Sequence, residues 1–254
     1  MTTIGFTRPS KRLPDSVKEA RDLGFDVMVA PSLEILPGED SEFKRLEESI
    51  PGSIVVFCSS TAVEECQARF GNGLAGMVSG VKVVSIGPAT TAKLKAAGIE
   101  PSAVPEDYSS YGLVDLLKGE ASGSRIVLVR SDSGTDVLSD GLREAGAEVA
   151  DVAVYRLREA GVGNGMLHMM ISLKQGKIDA LAFSSPMSAS SFISKLEDRY
   201  GKEKAAEYLH GTKIAAIGLP TSRKLKELGF KPDIVPEKTT FHDMLLAIRE
   251  EFQQ

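Results

Sequence analysis

Ile54-Val55-Val56-Phe57-Cys58-Ser59-Ser60-Thr61-Ala62-Val63 and Ile178-Asp179-Ala180-Leu181-Ala182-Phe183-Ser184-Ser185-Pro186 decide the fold. Each is a short, nearly unbroken apolar run that stops at a pair of serines. Such a run suits a strand covered on both faces of a parallel sheet. The residues after the two runs also match. Val81-Lys82-Val83-Val84-Ser85-Ile86-Gly87-Pro88 parallels Thr212-Lys213-Ile214-Ala215-Ala216-Ile217-Gly218. Leu94-Lys95-Ala96-Ala97-Gly98 parallels Leu225-Lys226-Glu227-Leu228-Gly229, and Val104-Pro105-Glu106 parallels Val235-Pro236-Glu237. A weaker match precedes each copy: Leu23-Gly24-Phe25-Asp26-Val27 and Ala145-Gly146-Ala147-Glu148-Val149, each after an apolar strand ending in arginine, at Arg8 and Arg130. So much agreement in one order indicates an internal duplication.

Amphipathic stretches lie between the strands. Val137-Leu138 and Leu142 share one helical face before Gly146, and the same glycine stop recurs at Gly24, Gly98 and Gly229. Alternating β and α elements predict an α/β chain of two flavodoxin-like, doubly wound parallel-sheet domains with right-handed crossovers. Pro37-Gly38-Glu39-Asp40 and Gly161-Val162-Gly163-Asn164-Gly165 read as linker signals. Two linkers allow sequential domains or a crossed pairing, and pattern alone leaves both open.

The 254 residues carry 35 Asp and Glu against 30 Lys and Arg, a formal net charge of −5. The basic residues are scattered over helix faces, as in Arg223-Lys224-Leu225-Lys226-Glu227, so no concentrated field marks a nucleic-acid partner. No run approaches the roughly 18 apolar residues of a membrane span. The amino terminus lacks the basic and apolar pattern of a signal peptide. Cys58 and Cys66 are too few for a disulfide framework, so a reducing cytoplasm is expected. Neither a GxGxxG nor a Walker loop occurs, and His168, His210 and His242 stand far apart in sequence, so no nucleotide cofactor and no metal are expected.

Ligands of open α/β sheets bind beyond the carboxyl ends of the strands. Six segments fall there: Thr7-Arg8-Pro9-Ser10, Ser59-Ser60-Thr61-Ala62, Gly87-Pro88-Ala89-Thr90-Thr91, Ser131-Asp132-Ser133-Gly134-Thr135, Ser184-Ser185-Pro186-Met187-Ser188 and Gly218-Leu219-Pro220-Thr221-Ser222. All are rich in Ser, Thr and Gly, and each is read as opening a helix. Helix capping accounts for such residues one loop at a time. Six together predict a cleft that offers amides and hydroxyls to a polyanion. Thr7, Arg8, Ser59, Ser60, Gly87, Thr90, Arg130, Ser131, Ser184, Ser185, Gly218 and Thr221 are the candidate binding residues. Tyr155, in the second linker strand, is the candidate proton donor, although it could equally anchor the linker. Cys58 reads as a small buried hydrophobe.

Together these residues resemble the uroporphyrinogen-III synthase family. The resemblance rests on Phe6-Thr7-Arg8-Pro9, Phe57-Cys58-Ser59-Ser60-Thr61-Ala62-Val63, Ile86-Gly87-Pro88-Ala89-Thr90, Val154-Tyr155-Arg156, Phe183-Ser184-Ser185-Pro186 and Ala216-Ile217-Gly218, in the family's order. Three positions depart from its pattern: Cys58 in place of threonine, Met187 in place of a small polar residue, and Pro220 where a hydroxyl is usual. The resemblance implies the crossed arrangement, with residues 1–33 and 160–254 in one domain, 38–153 in the other, and linkers at 34–37 and 154–159. It implies a cyclising lyase that takes hydroxymethylbilane to uroporphyrinogen III with loss of water and inversion of the last ring. Tyr155 would assist departure of the hydroxyl. No cofactor and no metal would be needed. A monomer is implied, with hydroxymethylbilane synthase as a transient partner, and no nucleic acid or membrane. The other reading is a two-domain small-molecule-binding sensor without catalysis. A duplicated receiver would need an acidic cluster, for which only Asp132 is near a strand end.

Overall fold

The computed structural model describes residues 1–253. In chain order its elements are β1 (Thr3–Phe6), α1 (Leu13–Asp22), β2 (Asp26–Val29), β3 (Leu33–Pro37), α2 (Asp40–Ser49), β4 (Ile54–Phe57), α3 (Ser60–Phe70), α4 (Gly73–Met77), β5 (Lys82–Ser85), α5 (Pro88–Ala96), α6 (Ser110–Ala121), β6 (Arg125–Ser131), α7 (Val137–Glu144), β7 (Glu148–Glu159), α8 (Asn164–Lys174), β8 (Ala180–Phe183), α9 (Pro186–Tyr200), α10 (Lys202–His210), β9 (Lys213–Ala216), α11 (Leu219–Glu227) and α12 (Phe241–Glu251). The chain divides into two compact units, one of Met1–Ile35 with Arg158 onward, the other of Leu36–Leu157.

The first unit holds a sheet in the order β2-β1-β8-β9, all neighbours parallel. Ile234 adds a parallel bridge to Ala215 at its far edge. This is the 2-1-3-4-5 order of flavodoxin-like sheets. The reason is visible in β8, whose four residues are all buried. Leu181 and Phe183 pack into one core with Phe192, Ile193 and Leu196 of α9, while Ala180 and Ala182 face the other core with Met244, Leu245 and Ile248 of α12. An alternating strand buried on both sides needs helices on both sides. Each fully buried Leu, Ile or Phe contributes about 1.5–3 kcal/mol.

The second unit repeats the plan with its chain entry moved. Its sheet runs β3-β7-β6-β4-β5, with parallel pairs from β7 through β5 and a parallel bridge from Val84 to Ala103. Val56, Ile126 and Leu128 pack against Leu113 and Leu117 of α6 and Leu138 and Leu142 of α7. Val55, Phe57, Val127 and Val129 are buried as well. The duplicated sequence thus produces duplicated structure. Gly87 and Gly218 cap α5 and α11 with the same fully extended backbone, and Ser59 and Ser185 cap α3 and α9 with φ of −164° and −163°.

One expectation needs correction. Five of the six strand-end segments lead into helical structure, the first by way of a 3₁₀ turn at Ser10–Arg12. The Ser131–Thr135 segment does not. It forms a turn, and α7 starts only after Asp136. Arg130 explains the detour. Its guanidinium donates to Thr135 O at 2.6 Å, and Gly134 lies so close that an added Cβ would stand 2.6 Å from Arg130 Nη1. The chain wraps this side chain before it can begin to coil.

Candidate active site

The second unit places Ser59, Ser60, Gly87, Thr90, Arg130 and Ser131 at or next to the carboxyl ends of β4, β5 and β6, with Tyr155 within β7 paired to Ser131. Ser59 has extended backbone, and its Oγ accepts from the Ala62 amide at 3.0 Å, which fixes the start of α3. The same Oγ lies 3.0 Å from the Tyr155 hydroxyl. Tyr155 is 8% exposed. A register break brings it there. Arg130 pairs with Ala153 and Ser131 with Tyr155, so Val154 is an extra residue in β7. Such a bulge bends a strand and re-aims the side chains beside it. Backbone bonds hold the bulge: Gly38 N donates to Val154 O at 2.9 Å and Asp132 N to Tyr155 O at 3.1 Å.

Gly87 opens α5, and the absence of a Cβ admits Tyr108, whose own Cβ would lie 3.2 Å from one at Gly87. Thr90 is buried in the first turn of α5. Arg130 is committed within the protein. Its Nε donates to Asp151 Oδ1 at 2.6 Å, and its Nη2 to Asp151 Oδ2. Burial pulls the guanidinium's pKa down, but the hydrogen bond and charge of Asp151 outweigh it, and the pKa stands above its ordinary value. Ser131 ends β6 half-buried, its Oγ accepting from Ser133 N at 3.3 Å. A hollow of about 370 Å³ beside them is lined by Glu42, Asp132, Asp136 and Asp151 against Arg45 and Arg130. Four carboxylates against two guanidiniums make it a poor host for an anion.

The first unit places Thr7, Arg8, Ser184, Ser185, Gly218 and Thr221 at or beyond the ends of β1, β8 and β9. Ser185 Oγ accepts from Ser188 N at 3.1 Å. Thr221 is buried in the first turn of α11, as Thr90 is in α5. The move of proline from Pro88 to Pro220 leaves this turn intact: Thr91 N reaches Gly87 O at 2.9 Å, and Ser222 N reaches Gly218 O at 3.0 Å. Arg8 Nη1 donates to Ser16 Oγ at 3.0 Å, and its Cζ sits 4.2 Å from the centre of the Phe241 ring. Burial, with the nearby Arg12 charge, lowers the Arg8 pKa to about 10, so it stays protonated at neutral pH. Arg8 Nε and Thr7 Oγ1 are buried without a hydrogen-bond partner. An unpaired guanidinium donor at a strand end is a group that an incoming carboxylate would satisfy.

Sequence reading misses Asp151 and Tyr108. Asp151 carries a signal, since a carboxylate among Val149, Ala150, Val152 and Ala153 requires a partner inside the fold. Tyr108 carries none.

A model of the family described as uroporphyrinogen-III synthase HemD matches residues 15–245. The chain belongs to the uroporphyrinogen-III synthase family. A Methanothermobacter thermautotrophicus protein bearing the same synthase designation is 31% identical over 96% of both chains. A uroporphyrinogen-III synthase of Chlorobaculum parvum is 25% identical over 93% of this chain and 94% of its own. Among solved structures, a mutant uroporphyrinogen III synthase of Thermus thermophilus covers 100% of this chain and 99% of its own at a TM-score of 0.66 and 23% identity. The uroporphyrinogen-III synthetase of Helicobacter pylori covers 99% and 100% at a TM-score of 0.63 and 15% identity. At these identities the two structures speak for the fold, which is that of the uroporphyrinogen-III synthase family.

Proposed function

We propose that this chain is a uroporphyrinogen-III synthase, a cyclising lyase that closes hydroxymethylbilane with inversion of its last ring and loss of water. The family match across residues 15–245 carries the reading.

The residues supply a consistent chemistry. The pyrrole nitrogen pushes its lone pair into the ring as the terminal hydroxyl leaves, so the protein need only protonate the departing oxygen and hold the chain ends near each other. Tyr155 is the proton donor in this reading, and its hydrogen bond to Ser59 supports that role. Thr7 and Arg8, with buried polar atoms left unpaired, are proposed to take a substrate carboxylate. The helix starts at Ser59 and Ser60, Gly87 and Thr90, Ser184 and Ser185, and Gly218 and Thr221 are proposed to take others through their amides. Arg130 and Ser131 are proposed to serve binding from the end of β6 without holding a carboxylate in the acidic hollow beside them. For Arg130 this means shaping the turn that faces substrate, since its guanidinium holds Asp151 and Thr135.

We further propose a cytoplasmic monomer that takes its substrate by transient contact with hydroxymethylbilane synthase. The free thiols of Cys58 and Cys66 agree with a reducing compartment. No helix among the described residues is long and apolar enough to cross a membrane. The test is a coupled assay in which porphobilinogen and hydroxymethylbilane synthase are incubated with and without this protein. A shift of the oxidised product from uroporphyrin I to uroporphyrin III is the expected result. Unchanged isomer I from folded protein would overturn the reading.

A further inference from the structure

We propose that the Ser59 hydroxyl serves the reaction through Tyr155, as a positioning group, and makes no contact of its own with substrate. This rests on Tyr155 being the proton donor of the proposed cyclisation. Ser59 Oγ already accepts the Ala62 amide at 3.0 Å. It keeps one proton to give and one lone pair to offer, and the Tyr155 oxygen is 3.0 Å away. A phenol that delivers its proton to a substrate cannot point the same proton at Ser59. In the reacting arrangement Ser59 is therefore the donor and Tyr155 the acceptor. The phenol proton is then the one directed at the leaving hydroxyl.

The same bond gains strength as the reaction proceeds. The carbon–oxygen bond of the hydroxymethyl group breaks with both electrons on oxygen, Tyr155 supplies the proton, and water departs. Negative charge is left on the phenol oxygen. It meets the Ser59 hydroxyl, itself polarised by the Ala62 amide and by the positive end of an 11-residue helix. A hydrogen bond to a charged oxygen is about twice as strong as one to a neutral oxygen. The stabilisation is thus largest where charge develops, which raises turnover and leaves ground-state binding nearly unchanged. The phenol regains its proton when the ring carbon that makes the closing bond gives up its own.

Geometry holds both partners. Ser59 has the extended backbone of a helix cap, and Tyr155 follows a bulge pinned by Gly38 N to Val154 O and Asp132 N to Tyr155 O. Ser185 offers an internal control for the cap alone, having the same backbone angles and the same bond to the amide three residues on.

The test is a double-mutant cycle on the full chain, with kcat and KM measured for isomer III formation. Ser59→Ala is expected to lower kcat about 10- to 100-fold, the range of one hydrogen bond to a charged group, with KM near wild type. Ser59→Thr should restore most of the loss. Ser59→Gly, which caps helices well but has no hydroxyl, should match Ser59→Ala and covers the case that the alanine variant folds poorly. In the Tyr155→Phe background, Ser59→Ala should change kcat less than about twofold, because groups acting as a unit are not additive. Ser59→Ala should lose the stability that Ser185→Ala loses and, beyond it, no more than one further hydrogen bond. A raised KM at unchanged kcat, or losses that multiply in the double variant, would overturn the role of Ser59 and leave Tyr155 in place. Wild-type turnover in Tyr155→Phe would remove Tyr155, and Ser59 with it.

Discussion

The hydroxyls of Tyr155 and Ser59, 96 residues apart in sequence, lie 3.0 Å from each other where β7 passes the start of α3. Tyr155→Phe removes that hydroxyl and little else. Ser59 still caps α3 through the Ala62 amide, and the ring keeps its buried place. Loss of a positioned general acid costs about 10²- to 10⁴-fold. We expect kcat for isomer III to fall in that range, while the melting temperature stays within the effect of one hydrogen bond, roughly 1 kcal/mol. Isomer analysis beside a thermal melt checks both. Turnover near wild type would take the phenol out of the reaction.

The Arg130 turn is expected to be structural in its cost. Gly134→Ala would place a Cβ 2.6 Å from Nη1 and 2.8 Å from Cζ of Arg130, so the guanidinium must leave Thr135 O. Overpacking of this kind costs about 1–3 kcal/mol. Asp151→Asn leaves Arg130, 8% exposed, without its carboxylate, and loss of one partner of a buried pair costs about 3–5 kcal/mol. The Asp151 side chain is 29% exposed, so we expect less than a fully buried pair would lose, about 2–3 kcal/mol. Urea midpoints of the two variants measure these effects. An Asp151→Asn midpoint equal to wild type would show that the pair does not hold the turn.

These two sites show how far local sequence reaches. Apolar strands and glycine stops are local features. Gly24, Gly98, Gly146 and Gly229, read as helix ends, all have positive φ, between 77° and 93°, a region that residues with a Cβ avoid. Ser59 and Ser185 are legible as caps for the same reason, since the bond closes within four residues. The Ser131–Thr135 turn is misread from sequence because Ser, Asp and Gly favour turns and caps alike, and Arg130 decides between them. The Tyr155–Ser59 contact has no local signal. It depends on one extra residue, Val154, in a strand whose alternation looks ordinary.

The two thiols should be inert in the folded protein. Cys66 is buried, and Cys58, expected to be buried, is half-buried against the core of the second unit, with Sγ 3.7 Å from Val56 O. Burial raises the Cys58 pKa to about 12 and the Cys66 pKa further, so neither forms thiolate near neutrality. We expect no labelling by a thiol-reactive chromogen at pH 8 over minutes, and two equivalents after denaturation. Rapid labelling of one thiol in native protein would show that the half-buried Cys58 is reactive after all.

Glu159 and Lys195 give a pH-dependent contribution whose sign is fixed. Lys195 Nζ lies 2.5 Å from Glu159 Oε2, and Ser191 Oγ donates to the same oxygen at 3.1 Å. The Lys195 hydrogen bond lowers the Glu159 pKa below its ordinary 4.5, against a smaller opposing effect of burial. A carboxyl whose folded pKa is depressed adds stability above the unfolded value, and that stability is lost as pH falls through the folded value. Glu159 is 63% exposed, so the contribution is that of a surface pair, about 0.2–1 kcal/mol, and salt should weaken it. Lys195 is 12% exposed, so Lys195→Met can keep the packing of its stem while removing the charge. We expect Lys195→Met to melt below wild type at pH 7 and the gap to close as pH drops from 4.5 toward 3. A gap of the same size at pH 3 would assign the difference to packing, with no part for the charge.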